Sequence, residues 1–304
     1  MEQFIAITLG ATTPIALVAI GAVFSWRAGI FHMGLEGLMA IGAFVSVAGT
    51  IWSGQVIVGL AMAIAACMFV SFVFWIVIVP LRANAVIAGL GLSTLGVGGS
   101  VYMLTVLTGS SGSIYSDIGL WRPVAGVASG PLAAVSDLSI LVWLVLPLTL
   151  GCWWFLRRTR SGLLLAAVGE YPFAARGAGA SPSKVRLAAL LVTGAFCALG
   201  GAELALGSLN AFTQDITSGR GFLAFTAVIF GVGDPIGAAL ASLFFGLAEA
   251  LGIYTQFATA ELPVPREFIL MLPYLLTILA VWLNSVARRS SGGMPGAFGE
   301  LRET

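Results

Sequence analysis

Charge is what this sequence has least of. Only 9% of its 304 residues are charged, against 59% hydrophobic, and the mean hydropathy is +1.03. A soluble domain devotes about a quarter of its residues to Asp, Glu, Lys and Arg, so a chain this poor in charge cannot cover a water-facing surface. Composition excludes a soluble globular protein. It predicts an all-α integral membrane protein crossing the bilayer many times, one transmembrane domain over 1–304 with no separate soluble domain. The net charge of +1 supplies no basic face for nucleic acid.

Three residue types are nearly missing. The single lysine, Lys184, lies between Ser183 and Val185. A nucleotide-binding P-loop needs lysine in Gly-Lys-Ser/Thr, so any ATP that drives this chain binds another subunit. The single histidine, His32, stands four residues before Glu36. That spacing places both on one helical face, but two ligands are not a metal site. No nucleophile motif accompanies His32, so no catalytic residue is assigned. Cys67, Cys152 and Cys197 sit in separate apolar runs without metal or redox spacing, and read as small buried hydrophobes. The first apolar run lacks the basic residues that open a secretory signal, and is expected to be a retained helix.

Apolar runs dominate what is present. A hydrocarbon core of about 30 Å takes roughly 20 residues of helix, and runs of that kind lie near 4–24, 34–51, 55–79, 85–108, 138–156, 187–208 and 267–287. Two shorter runs, near 222–232 and 236–253, are joined by "GVGDP" and are expected to form a half-length or re-entrant pair. Broken backbone survives at membrane depth only where protein buries it or a cavity adjoins it. The expectation is a polytopic bundle of about eight to nine helices. Arg27, Arg82, the loop from Arg157 to Arg186, and Arg288 with Arg289 mark one side as cytoplasmic by the positive-inside rule. Counting back places the N-terminus outside and the C-terminus in the cytoplasm. The loop from about Gly109 to Ser136 is then external, and long enough to be functional or mobile. Small residues four apart, Gly42 and Ser46, Thr94 and Gly98, and Gly194, Ala198 and Ala202, suit close helix packing.

Three glutamates, Glu36, Glu203 and Glu249, fall in or near apolar helices. An acid at the bilayer centre costs roughly 2.5–3.5 kcal/mol on insertion scales, so such residues face a polar cavity or a partner. Glu36 falls in the first turn of a helix, where the dipole favours an anion, at what the basic turn around Arg27 suggests is the cytoplasmic edge. For Glu203 and Glu249 a cavity role and an interhelical hydrogen bond remain open. The cytoplasmic loop of about 157–186 carries "TRSGLLLAAVGEYPFAARGAG". Pro172 suits a helix's first turn, Ala174 and Ala175 favour helix, and Gly177 or Gly179 can stop it. A short helix across the inner membrane face follows, either docking a partner or merely connecting two spans.

Four blocks, in order and over most of the chain, carry a resemblance. "GIFHMGLEGLMAIGAF", "GLLLAAVGEYPFAARGAGA", "GRGFLAFTAVIFGVGDPIGAALASLFFGLAEAL" and "LPVPREFILMLPYLLTILAV" are similar to the signatures of ABC-importer permeases for nucleosides and simple sugars, within the branched-chain amino-acid and ribose permease group. The resemblance implies a type II ABC-importer-like fold and a cell inner-membrane permease subunit that moves a nucleoside or simple sugar. It also implies three partners: a second permease subunit, a cytoplasmic ATPase and an extracytoplasmic substrate-binding lipoprotein. ATP and Mg would sit on the ATPase, with no cofactor in this chain. Gly169, Glu170, Tyr171, Pro172, Ala174 and Ala175 correspond to the helix that docks into the ATPase, and His32, Glu36, Glu203 and Glu249 are candidates for the translocation pathway. The chain departs from the pattern at His32 and Tyr171, where asparagine is usual, at Ala166, where arginine is usual, and around Asp234, where tryptophan and asparagine are commoner. If His32 faces the pathway, the solute differs from the usual one. The competing reading is a proton-coupled secondary transporter that titrates Glu36, Glu203 or Glu249.

Overall fold

The computed structural model describes residues 2–109, 112–123, 136–257 and 271. The expected helix at 267–287, Arg288 and Arg289 therefore lie outside the described residues, apart from Met271. Helices α1 (Glu2–Arg27), α2 (Leu35–Ser53), α3 (Val56–Ile78) and α4 (Ala85–Thr108) come first. Strand β1 (Ser113–Tyr115) precedes α5 (Ile140–Arg158), α6 (Arg160–Glu170), α7 (Pro172–Gly177) and α8 (Pro182–Ala202). A π-helical turn, Glu203–Leu209, ends α8 and leads to β2 (Ala211–Thr213), α9 (Arg220–Phe230) and α10 (Pro235–Phe257). Among the described residues, seven helical segments are long and apolar enough to cross a membrane, and the bundle is helical as composition demands.

The spans form an inner and an outer layer. The central windows of α1, α2 and the α8 span are 61%, 67% and 61% buried, against 22% each for α3, α4 and α5. Ile15, Leu17 and Ile20 of α1, Leu38 and Met39 of α2, and Leu190 and Cys197 of α8 are fully enclosed. Trp52, Ile57, Leu95 and Leu146 face outward, as side chains bathed in lipid do. Lipid tails are as apolar as leucine, so burial alone does not hold such helices together; close packing and interhelical hydrogen bonds do. The small residues supply the first. A Cβ on Gly42 would lie 2.7 Å from the Ala198 Cα, and one on Gly96 2.5 Å from the Gly37 Cα, so α2 meets both α8 and α4 backbone to backbone. Hydrogen bonds supply the second: Thr193 Oγ1 donates to the Gly21 carbonyl at 2.9 Å, Ser93 Oγ to that of Met33 at 2.8 Å, and Cys67 Sγ to that of Leu38 at 3.2 Å. The Thr94 and Gly98 spacing behaves differently. Both residues are exposed, and a Cβ added at Gly98 would meet nothing within 4 Å among the described residues.

The pair around "GVGDP" corrects the sequence-based expectation by half. Helix α9 is half-length, with 11 residues, but α10 has 23 and is a full span. The break falls before α9, where Asn210, Asp215, Ser218 and Gly219 all have positive φ. Hydropathy cannot separate these cases, because α10 carries Ser242, which bonds the Ala238 carbonyl of its own helix, and Glu249, which pairs with Arg220. The parity of crossings is unchanged, since α9 and α10 run in opposite senses about their turn.

Non-helical backbone beside the break is satisfied locally, as membrane depth requires. Strands β1 and β2 pair antiparallel, with Ser113 opposite Thr213 and Tyr115 opposite Ala211. Ser116 N–H donates to the Asn210 carbonyl at 2.8 Å, and Leu120 N–H to that of Leu206 at 3.0 Å. The π-helical turn offers the Leu206 carbonyl to this outside donor. Part of the long 109–136 loop thus packs across the end of the α8 span; the remainder lies outside the described residues.

Candidate functional site

Two polar layers stand at opposite ends of α9. At its N-terminus, Glu36 reaches across from α2. Gly219 N–H donates to Glu36 Oε1 at 2.9 Å and Gly221 N–H to Oε2 at 2.6 Å. The first N–H groups of a helix have no partner within it, and an anion there also meets the positive end of the dipole. Glu36 does lie in the first turn of α2, but the helix it caps is α9. Gly221 makes the approach possible, because a Cβ there would fall 2.5 Å from the Glu36 Cα.

The sequence reading set Glu36 beside the Arg27 turn; the contact sets it at the start of α9, whereas Arg27 meets Asp234 beyond that helix's end. The 11 residues of α9 rise about 16 Å, which separates Glu36 from the turn at Asp234 by about half a hydrocarbon core. After Arg27 the chain turns back into the bundle before α2 begins, a step that a count of basic residues does not register.

Beside this cap, Arg220 pairs with Glu249 of α10, and its Nη1 donates to the Ile216 carbonyl at 3.0 Å. Glu249 therefore compensates a cation at the broken helix. Glu203 lies elsewhere, in the π-helical turn, where Ser139 Oγ donates to its Oε2 at 2.6 Å. Ser139 is the N-cap residue of α5, so this acid joins α8 to the start of α5. Gly207 leaves room for it, since a Cβ there would meet the carboxylate at 2.6 Å. The structure thus brings Glu36 and Glu249 to one end of α9 and leaves Glu203 apart.

His32 is 1% exposed. Its ring stacks on Phe74 with centroids 4.4 Å apart and planes 16° from parallel. Nδ1 accepts the Gly34 N–H at 3.1 Å, which leaves the ring proton on Nε2 and the imidazole neutral. No group of three His, Cys, Asp or Glu side chains that could hold a metal occurs among the described residues.

The Arg157 end of α5 leads into α6 and α7. Thr159 Oγ1 caps α6 by accepting the Gly162 N–H at 3.1 Å. Tyr171 separates α6 from α7, Pro172 opens α7 at its first position, and Gly179 follows with φ +85°. Pro172 and Ala175 face inward; Glu170, Tyr171, Phe173 and Ala174 face out. Tyr171 and Phe173 are 56% and 40% exposed, with their rings edge-to-face at 6.2 Å. Gly169 is buried against α1, where a Cβ would fall 1.9 Å from the Arg27 carbonyl oxygen. The loop is therefore a helical platform wedged against α1, with an aromatic edge turned outward.

Two features escaped the sequence reading. Arg186, counted there as a loop charge, is 1% exposed and its Nε lies 3.4 Å from the Ala28 carbonyl, near the end of α1. Asp234 gathers two arginines at the turn between α9 and α10: Arg157 Nη2 at 3.0 Å and Arg27 Nη2 at 3.7 Å. Positive-inside bookkeeping counts basic residues and does not ask whether they are buried or paired.

Comparisons with known proteins agree with this architecture. The family described as branched-chain amino acid transport system / permease component matches residues 4–281. A guanosine ABC transporter permease protein of Bacillus subtilis, NupQ, is 33% identical over 284 residues, covering 90% of this chain and 89% of that protein. A nucleoside ABC transporter permease protein of Lactococcus lactis, NupC, is 32% identical over 294 residues, covering 92% of each. A putative glucose ABC transporter permease protein of Haloferax volcanii, TsgC13, is 31% identical over 257 residues, covering 82% of this chain and 76% of that protein. With a polytopic helical bundle, a broken crossing and a short helical platform between α5 and α8, the chain belongs to the branched-chain amino acid transport system / permease component family of ABC transporter permeases.

Proposed function

We propose that this chain is the membrane permease of an ATP-driven importer for nucleosides, with a simple sugar as the second choice of solute. The observation that carries the solute class is its similarity over about nine-tenths of its length to permeases named for guanosine and for nucleosides. The N-terminus lies outside and the C-terminus in the cytoplasm, supported by the arginines at the inner ends of α1 and α5. The platform of Gly169, Glu170, Tyr171, Pro172, Ala174 and Ala175 receives the ATPase, supported by the exposed Tyr171 and Phe173 edge on a wedge fixed to α1. ATP and Mg belong to that ATPase.

A second permease subunit completes the pathway. The face of α4 around Gly91, Thr94 and Gly98 is exposed, and small residues of this kind let another helix approach closely. Transport proceeds by alternating access: nucleotide binding closes the ATPase, α7 carries the motion into the bundle, and the bundle exchanges one packing for another. Solute passes beside the broken crossing, near Glu36 and Glu249, where a helix terminus supplies fixed dipoles. His32 supports α2 from within the bundle. Each acid that the proton-coupled alternative would titrate is held by a partner: Glu36 by two backbone N–H groups, Glu249 by Arg220 and Glu203 by Ser139 Oγ.

The test is reconstitution of the chain with its ATPase, partner permease and binding protein in proteoliposomes. Uptake of radiolabelled guanosine, other nucleosides and glucose is followed with and without internal ATP. ATP-dependent nucleoside uptake is expected; ATP-dependent uptake of glucose alone would overturn the nucleoside assignment.

A further inference from the structure

The Arg27–Asp234–Arg157 cluster joins three parts of the chain that the proposed mechanism must move together. Arg27 ends α1 and Arg157 lies in the last turn of α5. Asp234 precedes Pro235 at the start of α10, and its carbonyl accepts the Ala238 N–H at 2.8 Å. One carboxylate oxygen, Oδ1, takes Nη2 of both arginines, while Arg27 Nε also donates to the Gly233 carbonyl at 2.7 Å. The turn behind it has a set shape, with Val232 and Gly233 both at positive φ, 57° and 63°. Gly233 sits against the Trp26 indole, where a Cβ would fall 2.5 Å from Cδ1.

Each arginine is also tied to the inner-face platform. Helix α5 passes through the single residue Thr159 into α6, and α6 through Tyr171 into α7, so a displacement of α7 is delivered to the end that carries Arg157. The close contact of Gly169 with the Arg27 carbonyl delivers it to the end of α1. Two cations meet one anion here, so removing the carboxylate charge leaves Arg27 and Arg157 repelling each other across the turn. From that turn α9 runs as one rigid 11-residue helix to the N–H groups held by Glu36.

We propose that Asp234 is the positioning residue that transmits movement of α6 and α7 to the half-length helix α9, and so to the Glu36 cap. The assignment rests on the reading of α7 as the ATPase contact. A residue that only stabilised the fold would lower ATP hydrolysis and uptake together, whereas a transmitting residue changes their ratio.

The experiment measures solute taken up per ATP hydrolysed by the complete complex in proteoliposomes. Asp234→Asn keeps ATP hydrolysis within about twofold and lowers uptake per ATP by about fivefold or more, the range of an allosteric coupling energy. Asp234→Glu restores most of the ratio, and Arg157→Gln lowers it in the wild type but adds nothing to Asp234→Asn. An unchanged ratio in Asp234→Asn, a parallel fall of both rates, or multiplying effects in the double variant would overturn the proposal. Should Asp234→Asn fail to assemble, Arg157→Gln alone decides, because that side chain is 52% exposed; an unchanged ratio there also overturns it. The ratio is read with whichever solute the wild-type complex takes up. A wrong choice of nucleoside thus fails in the wild type, and a wrong assignment of Asp234 fails only in the variants.

Discussion

Glu36 and Gly221 are 185 residues apart in the chain, yet the Gly221 N–H donates to Glu36 Oε2 at 2.6 Å. A charge-assisted bond of this kind contributes about 1.5–3 kcal/mol, and leaving a buried donor without a partner costs about 1–3 kcal/mol. Glu36→Ala is expected to lower uptake at least about tenfold, since it orphans two N–H groups at the break, with Glu36→Gln intermediate. Uptake assays beside thermal unfolding in detergent check this. Wild-type uptake in Glu36→Ala would show that α9 needs no such cap.

The wedge of α6 against α1 makes a second expectation. In Gly169→Ala the new methyl meets the Arg27 carbonyl oxygen, and α6 has to shift. The exposed platform moves with it. Co-purification of the ATPase should fall severalfold while membrane insertion persists, the overpacking cost being about 1–3 kcal/mol. Undiminished ATPase binding would mean that the platform tolerates displacement.

Replacing Glu170 and Pro172 together, for example Glu170→Ala with Pro172→Ala, removes an outward carboxylate and the residue that starts α7. ATP-driven uptake and ATPase association are both expected to fall, with insertion intact. Normal transport in this double variant would remove the coupling role from 169–175.

His32→Asn restores the residue usual in the resembled permeases. The asparagine carbonyl can accept the Gly34 N–H, but it leaves Phe74 without its stacking partner. A stability loss of about 1–2 kcal/mol, the ordinary scale for a core substitution, is expected, with the range of transported solutes unchanged. Altered solute preference at unchanged melting temperature would place His32 on the pathway instead.

Energy coupling separates the two transporter readings. Uptake into ATP-loaded vesicles is expected to survive collapse of the proton gradient. Glu203→Gln, which preserves an acceptor for Ser139 Oγ, should retain uptake within about twofold of wild type, because the joint between α8 and α5 keeps its hydrogen bond. Loss of uptake on adding a protonophore with ATP held constant would revive the proton-coupled reading.

Most of the bundle was legible from the order of residues, because its causes are local. An apolar run of about 20 residues must become a helix in lipid, where backbone groups have no water to bond. Each of the six long runs that fall on described residues did so. The short helix opened by Pro172 was equally readable, since Pro172 and Gly179 act on their own neighbours. The half-length character of α9 and the full length of α10 were not separable, because the hydropathy of a run does not reveal which neighbours absorb its polar groups.

The candidate site divides along the same line. Sequence alone determined that Glu36, Glu203 and Glu249 need partners, because a carboxylate in an apolar helix is too costly unpaired. It also determined that Arg27 and Arg157 lie toward one face. Only the tertiary structure decided which partner each has: Glu36 the start of α9, Glu249 Arg220, Glu203 Ser139, and Asp234 two arginines from different helices. Those choices depend on contacts between residues far apart in the chain, set by which helix backbones approach closely enough to pack.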